Sequence, residues 1–393
     1  MKDNERHILI IPSWYPKDAN DISGSFFREQ AIALSKYGYT VGVINPQLYT
    51  FRNIRETLQT KFGLNIINDN GVQAIRFNYL NLTPRVDFLI RFLWIKIGLY
   101  LFEIYLKKFG KPDIIHVHSM RNAGYLAFEI SKKYNIPYVL TEHSTAFAKK
   151  LVRNKELGYL ENIVRGSSYN IAVSHQFKEL LNQTFQSSCW NYIPNMVKQE
   201  FLSYRKNHVQ NKFIFLCVCN LITNKSVNTL IRAFAIYSNY EGEAVLNIAG
   251  EGPQRSHLEI LVKKLELESK VKFLGSLTRE QVKIEMSQAS VFVLPSIFET
   301  FGVVIIEALA MGLPVIGTRC GGPESIIIDK VGILVEPGSV RQLAQAMINI
   351  HTNYQGYYSK DIREYCESKF SEDVVVQSLA IVYRNVLNDS AVL

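Results

Sequence analysis

The chain of 393 residues is short of what several protein classes need. Its five cysteines (Cys189, Cys217, Cys219, Cys320 and Cys366) show no paired metal-ligand spacing and are too sparse for a disulfide scaffold. That excludes zinc modules and small disulfide folds, and points to reduced thiols in the cytosol. No apolar run is clean enough to span a membrane, because the most hydrophobic segment, Asp87–Lys108, is broken by Arg91, Lys96 and Glu103. The opening MKDNERHILIIPSWYP holds an apolar stretch too short for a secretory signal, with proline straight after it, so it reads as a first strand. Aromatic residues are plentiful but cluster in apolar periodic segments without basic residues between them, which argues against a nucleic-acid surface. What remains is an excess of 44 Lys and Arg over 35 Asp and Glu, a formal charge of +9 that favours an anionic ligand or surface.

Strand-like and helix-like segments alternate through both halves, the pattern of parallel sheets with crossover helices. In the first half HILII, TVGVIN, VQAIRF as an edge, DIIHVH, YVLTEH and YNIAVS read as strands. In the second, FIFLCVCN, AVLNIAG, KVKFLG, SVFVLP and LPVIGT do, with helices opening near Val227, Gln254, Arg279, Thr300 and Ser339. The intervening IPNMVKQEFLSYRKNHVQNK is polar, contains Pro194 and lacks a long apolar period, which sets a domain boundary near residue 196. On a helix over Asp87–Lys108, Lys96, Tyr100, Glu103 and Lys107 share one narrow face. Core burial of the broad apolar remainder is favoured over a membrane interface, although Arg85, Arg91, Lys96, Lys107 and Lys108 suit anionic lipid.

The most informative stretch is FETFGVVIIEALAMGLPVIGT, in which Glu299 and Glu307 are separated by seven residues. SVFVLPS before it is strand-like, Phe301-Gly302 breaks the pattern, and VVIIEALAMG turns helical. A glycine in such a turn lets the backbone approach a phosphate while the first free N–H groups of the helix point at it. Carboxylates accept paired hydroxyl hydrogen bonds, so the arrangement suits a ribose and a second sugar flanking a phosphate bridge. Taken alone, the pair equally fits a helix-start glutamate followed by a solvated one. Upstream, VCN leads to Lys225 just before a helix, which places a cation at a site favourable to phosphate or else a lysine on the surface. Gly250 and Gly252 in AGEGPQRSHL are weak evidence by themselves. Ser23-Gly24-Ser25 precedes a helix from Phe26 to Lys36, with Ser23 or Ser25 as its N-cap.

Three histidines follow the strand pattern. His116 and His118 are placed on opposite faces of their strand, His116 buried and His118 toward a cleft. His143 stands at the end of YVLTEH. Glu142 before it orients it or contacts an acceptor, with a structural ion pair as the simpler role.

The run from Glu299 through Gly312-Leu313-Pro314-Val315-Ile316 and Gly321-Gly322-Pro323-Glu324 resembles the C-terminal signature of family 4 glycosyltransferases, the retaining, nucleotide-sugar-dependent enzymes of GT-B fold. The resemblance implies an α/β architecture of two Rossmann-like doubly wound domains facing a central cleft. Residues 1–196 would bind the acceptor, completed by a C-terminal helix over about residues 373–393, and residues 197–372 would bind the donor. It further implies that Glu299 contacts the donor sugar and Glu307 the ribose, with Thr300, Phe301 and Gly302 in the donor turn. Lys225 matches the phosphate-binding lysine. Asn220 replaces the usual arginine and Ser226 a glycine, which would weaken donor binding or shift the missing cation's task to Arg319 or Arg279. Gly250 and Gly252 occupy the turn near the nucleotide base, and Gly24 the loop approaching the donor phosphates. His143 matches the family's histidine beside the reacting carbon. His118, Glu142 and Tyr15 are expected on the acceptor side, among loops near Trp14, Arg85 and Lys149.

The implied reaction moves a glycosyl group from a nucleoside-diphosphate sugar to an acceptor hydroxyl with retained configuration, with His143 and Glu299 as the catalytic residues. No metal is expected, since no DxD-type carboxylate cluster stands out, and no cofactor beyond the nucleotide sugar as co-substrate. The acceptor expectation is a lipid-linked or growing surface-polysaccharide glycan, reached by a cytoplasmic protein peripheral to the inner face of the cell membrane. Nucleic acid is not an expected partner. The alternatives are a nucleotide-sugar epimerase of the same fold and an inactive sugar-nucleotide-binding subunit, the latter kept in view by Asn220.

Overall fold

The computed structural model describes residues 6–17, 21, 24–50, 57, 60–81, 86–149, 151–204, 212–240 and 243–389. Arg85 and Ser23 lie outside them. By contact the chain divides into two compact units, Met1–Val173 with Lys178–Ile193 and Val376–Leu393, and Ser174–Phe177 with Pro194–Val375.

The first unit is built on eight strands: β1 (His7–Pro12), β2 (Thr40–Tyr49), β3 (Gly63–Asp69), β4 (Val72–Leu80), β5 (Ile114–His118), β6 (Tyr138–Glu142), β7 (Tyr169–Ala172) and β8 (Trp190–Tyr192), in the order β3-β4-β2-β1-β5-β6-β7-β8. Every pair is parallel except β3–β4. Ile8 to Ile11 on the inner strand β1 have no exposed surface, as expected for a strand covered on both faces. The expected edge strand VQAIRF is one place in from the edge. The edge is β3, joined to β4 by a tight Asn70-Gly71 turn with both residues at positive φ (52° and 92°). Asn-Gly is the preferred pair for such a hairpin turn, a signal present in the sequence. The three-residue β8 is too short to announce itself.

The helix Asp87–Phe109 buries Trp94, Leu101, Phe102 and Tyr105, so core burial holds for its second half. Its first turns instead expose Phe88 (73%) and Phe92 (48%), whose rings stack at 6.4 Å. Among the described residues no helix is long and apolar enough to cross a membrane. The first helix runs Ser25–Lys36 with Gly24 as its N-cap and no side-chain cap, so Ser25 does not cap it. The C-terminal helix, Glu372–Asp389, contributes Tyr383 to the first unit, where its hydroxyl meets His116 Nδ1 at 2.6 Å.

The second unit carries six parallel strands: β9 (Ile214–Val218), β10 (Val245–Ala249), β11 (Val271–Gly275), β12 (Val291–Leu294), β13 (Val315–Thr318) and β14 (Gly332–Val335), in the order β11-β10-β9-β12-β13-β14. The four-residue β14 is an addition to the expected set. Phe215, Leu230, Phe234, Tyr237, Leu246 and Val293 form part of the core between the sheet and its helices. The order of connection reverses at β9, which has β10 on one side and β12 on the other. In the first unit it reverses at β1, between β2 and β5. Open sheets of this kind bind ligands outside the strand ends at such points.

Candidate functional site

In the second unit, β9 runs into a short 3-10 turn, Thr223–Lys225, and then the helix Val227–Tyr240. Ser226 between them sits at φ 48°, the left-handed conformation a glycine would adopt without strain. Glu299 follows the neighbouring strand β12. The two loops are stitched together by Ile297 N to Asn224 O (2.8 Å) and Asn224 Nδ2 to Phe298 O (2.9 Å). Lys225 Nζ forms an ion pair with Glu299 Oε1, and Ser296 Oγ donates to the same oxygen at 2.7 Å. Burial pulls the lysine's pKa down, but the charge and hydrogen bond of Glu299 raise it further, so the ammonium is retained above its usual range. Ser296 was invisible as a site residue, because one serine at a strand end carries no distinctive signal.

The helix expected to open near Thr300 runs Val303–Ala310. Gly302, at φ 100°, delays it by shaping the turn, and Thr300 and Phe301 stay in the loop. Glu307 is buried in this helix and ion-pairs with Arg279, the first residue of the helix Arg279–Gln288. The guanidinium of Arg279 also lies 5.9 Å from the Phe201 ring centre. Arg319 pairs instead with Glu336 at 3.6 Å on the exposed surface. Of the two arginines named to replace the one missing at Asn220, Arg279 therefore stands beside the candidate ribose carboxylate. Gly250 earns its place by close approach: a Cβ there would lie 1.9 Å from the Cys219 carbonyl oxygen. Gly252 meets the Leu221 carbonyl in the same way, at 2.4 Å. The glycine turn is thus pressed against the loop that carries Lys225.

In the first unit, His116 and His118 share one face of β5, their rings stacked 4.4 Å apart. The expectation of opposite faces fails because strand side chains repeat every two residues. His118 Nδ1 lies 3.1 Å from His143 Nε2, and His116 Nε2 lies 2.8 Å from Thr141 Oγ1. Phe27 packs on both His118 (4.8 Å) and His143 (4.9 Å). Burial holds His116 and His143 near a pKa of about 3 and lowers His118 well below its usual value, so all three are neutral imidazoles. Two such nitrogens at 3.1 Å share one hydrogen. His118 Nε2 is buried with no hydrogen-bond partner among the described residues. His118 Nε2 and His143 Nδ1, the outward nitrogens of the two rings, are alike in burial, so the hydrogen bond forms with either ring as donor.

Glu142 is fully buried, and the expected ion pair is replaced by three backbone donors: Met120 N (2.7 Å), His143 N (2.9 Å) and Ser144 N (2.7 Å). Burial raises its pKa more than these hydrogen bonds lower it. Its carboxylate shapes the loop that carries His143. His118 and Glu142 have no exposed surface, and Tyr15 has only 3%. These three, expected on the acceptor side, therefore present little or no surface of their own. Gly24, at φ 72°, packs against Trp14. Among the described residues no group of three or more His, Cys, Asp or Glu could hold a metal ion.

Comparison with known proteins agrees across both units. Residues 24–201 match the family described as Glycosyltransferase Family 4, and residues 198–368 match Glycosyl transferases group 1. The chain is 29% identical over 299 residues to N-acetyl-alpha-D-glucosaminyl L-malate synthase of Bacillus anthracis, covering 70% of this chain and 76% of that one. It is 25% identical over 403 residues to a Bacillus subtilis (strain 168) protein assigned to teichuronic acid biosynthesis as a glycosyltransferase, covering 98% and 99%. Anabaena HepE, solved in complex with UDP, superposes with a TM-score of 0.72 at 18% identity, covering 96% of this chain and all of that one.

Proposed function

Because the chain belongs to the family 4 glycosyltransferases and has their α/β GT-B fold, we propose that it is a retaining enzyme using a nucleoside-diphosphate sugar, with an acceptor hydroxyl on a lipid-linked or growing surface-polysaccharide glycan. The observation that carries this reading is the Lys225–Glu299 pair at the reversal point of the second sheet, beside the Gly302 turn and the helix Val303–Ala310. Breaking the glycosyl–phosphate bond builds negative charge on the departing diphosphate, and a fixed ammonium with free helix N–H groups stabilises that charge as it develops. Glu299 holds Lys225 through one oxygen and offers the other to a donor-sugar hydroxyl. Glu307, steadied by Arg279, takes the ribose. His143 contacts the sugar near its reacting carbon.

Retention follows if the acceptor oxygen attacks from the face the phosphate leaves. The glycosyl–phosphate bond breaks, the new glycosidic bond forms, and the acceptor's proton passes to a departing phosphate oxygen. Lys225 and the helix N-terminus supply the charge that a metal ion supplies elsewhere, so turnover should survive a chelator. HepE, a structural neighbour, holds UDP, which supports a nucleotide site. The outward Phe88 and Phe92 beside Lys96 support a membrane-proximal acceptor and a peripheral location.

The test is a panel of nucleotide sugars with release of nucleoside diphosphate as the readout, with and without EDTA. A donor turned over equally well by wild type, Glu299→Ala and His143→Ala would overturn the site assignment. Failure to sediment with anionic vesicles would remove the membrane part alone.

A further inference from the structure

We propose that the first unit carries an acceptor subsite for an anionic group, a phosphate or a carboxylate, in the cleft outside the carboxyl ends of β1 and β5; the assignment rests on the glycosyltransfer reading above. The cleft encloses about 330 Å³ and lies entirely within the first unit. It sits at that sheet's reversal point, where a ligand is expected on topology alone. Ser13 and Trp14 line it from the end of β1, Arg121 and Asn122 from the end of β5, and Ser144, next to His143, closes one side. An acceptor bound here lies next to the histidine assigned to the donor sugar.

Two features say that the cleft is built for a ligand. The backbone after β5 is strained at two lining residues, Ser119 (φ 68°, ψ 127°) and Asn122 (φ 60°, ψ −70°), conformations that non-glycine residues hold mainly where function requires them. Ser13 Oγ keeps this loop in place by donating to Ser119 O at 2.9 Å. The charges lining the cleft are also unbalanced, two guanidinium groups against one carboxylate. Arg121 Nε lies 2.8 Å and Arg91 Nη2 3.7 Å from the same oxygen of Glu156. Arg91 is oriented further by Tyr125, whose ring centre is 4.6 Å away and whose hydroxyl accepts from Nη1 at 3.1 Å. Guanidinium groups match phosphate and carboxylate oxygens in pairs, and Trp14 offers an aromatic wall for a sugar ring.

The test uses the full chain and tryptophan fluorescence, since Trp94 and Trp190 are buried and Trp14 is the partly exposed one. Glucose 1-phosphate, glucuronate and neutral methyl α-glucoside are titrated in turn. At least one anion should bind about tenfold more tightly than the neutral sugar, the scale of one charged hydrogen bond, and which anion does so separates phosphate from carboxylate. The preference should vanish in an Arg91→Gln/Arg121→Gln double variant. It should grow in Glu156→Gln, which removes the internal competitor, an increase that misfolding does not produce. Lys225→Ala should leave the signal in place, since binding at the donor phosphates would be lost there. Equal binding of all three sugars, no binding, or weaker anion binding in Glu156→Gln overturns the proposal. That failure with donor turnover intact leaves the glycosyltransfer reading standing.

Discussion

Lys225 and Glu299, 74 residues apart in sequence, meet as an ion pair because β9 and β12 are neighbours in the second sheet. Neither side chain is neutralised by chance. Ser296 supports the carboxylate, and the backbone bonds between the 224 and 297–298 segments hold both loops. Lys225→Ala should lower kcat/KM for the donor by about 10²–10³, the usual effect of removing a preorganised charge from a transition state. Steady-state release of nucleoside diphosphate measures it, and an unchanged value removes Lys225 from the mechanism. The raised lysine pKa adds stability that is complete below its unfolded value of 10.5 and is lost as pH rises through the higher folded value, so the lysine's contribution does not change around neutral pH.

His118 is a hydrogen-bond partner of His143 in the first unit, at 3.1 Å. His118→Leu should cut kcat with little change in donor KM, because the ring of His143 loses the hydrogen bond that orients it. His118→Asn, whose amide can donate or accept close to where Nδ1 was, should recover much of the loss. Long-range nitrogen–proton NMR of the imidazoles in the wild type reads the tautomers directly. Two rings that both carry, or both lack, a hydrogen on the facing nitrogens contradict the hydrogen bond whatever the variants do.

Acid should destabilise the first unit early. Unfolded histidine titrates near 6.5, whereas His116 and His143 are held near 3 and His118 well below its usual value. As pH falls below about 6.5 the unfolded chain takes up protons that the folded chain refuses, costing about 1.4 kcal/mol per pH unit for each histidine. Glu142 works in the opposite sense, since its raised pKa lets the folded state accept a proton before the unfolded state does. All three tryptophans belong to this unit, so urea unfolding followed by their fluorescence measures the slope. His118→Asn should make it shallower by roughly one histidine's share. A stability that is flat from neutral pH to about pH 5 contradicts the buried neutral cluster.

Gly250→Ala tests the packing beneath the donor loop. Its methyl would lie 1.9 Å from a backbone carbonyl, at φ 133°, and neither the strand nor the Cys219 loop has a flexible side chain to give way. A loss of about 2–4 kcal/mol is expected from such strain, with weakened nucleotide binding in whatever folds. Thermal melting with and without nucleoside diphosphate separates the two effects.

Much of the fold was legible in the residues. Continuous apolar runs such as HILII and SVFVLP announce inner strands because a strand covered on both faces has no polar side to keep. Elements that contribute little burial were harder to see. β3 interleaves polar residues and leaves Leu64, Ile66 and Ile67 exposed, while β8 and β14 have three and four residues. Glu299, Glu307, Lys225 and His143 were singled out by their places around strand ends together with the resemblance to the family's motifs, since spacing alone left blander readings open.

By itself the sequence determined which residues stand at the strand ends, since alternation and glycine turns are local properties of the chain. Only the tertiary structure decided what those residues do to one another. Strand order joins Lys225 to Glu299 and, through the β5–β6 pairing, His118 to His143, and helix placement sets Arg279 on Glu307. Burial then turned three ionisable imidazoles into neutral ones and left His118, Glu142 and Tyr15 with little or no exposed surface. Charge state and partnership depend on solvent exclusion and on neighbours distant in the chain, and local patterning encodes neither.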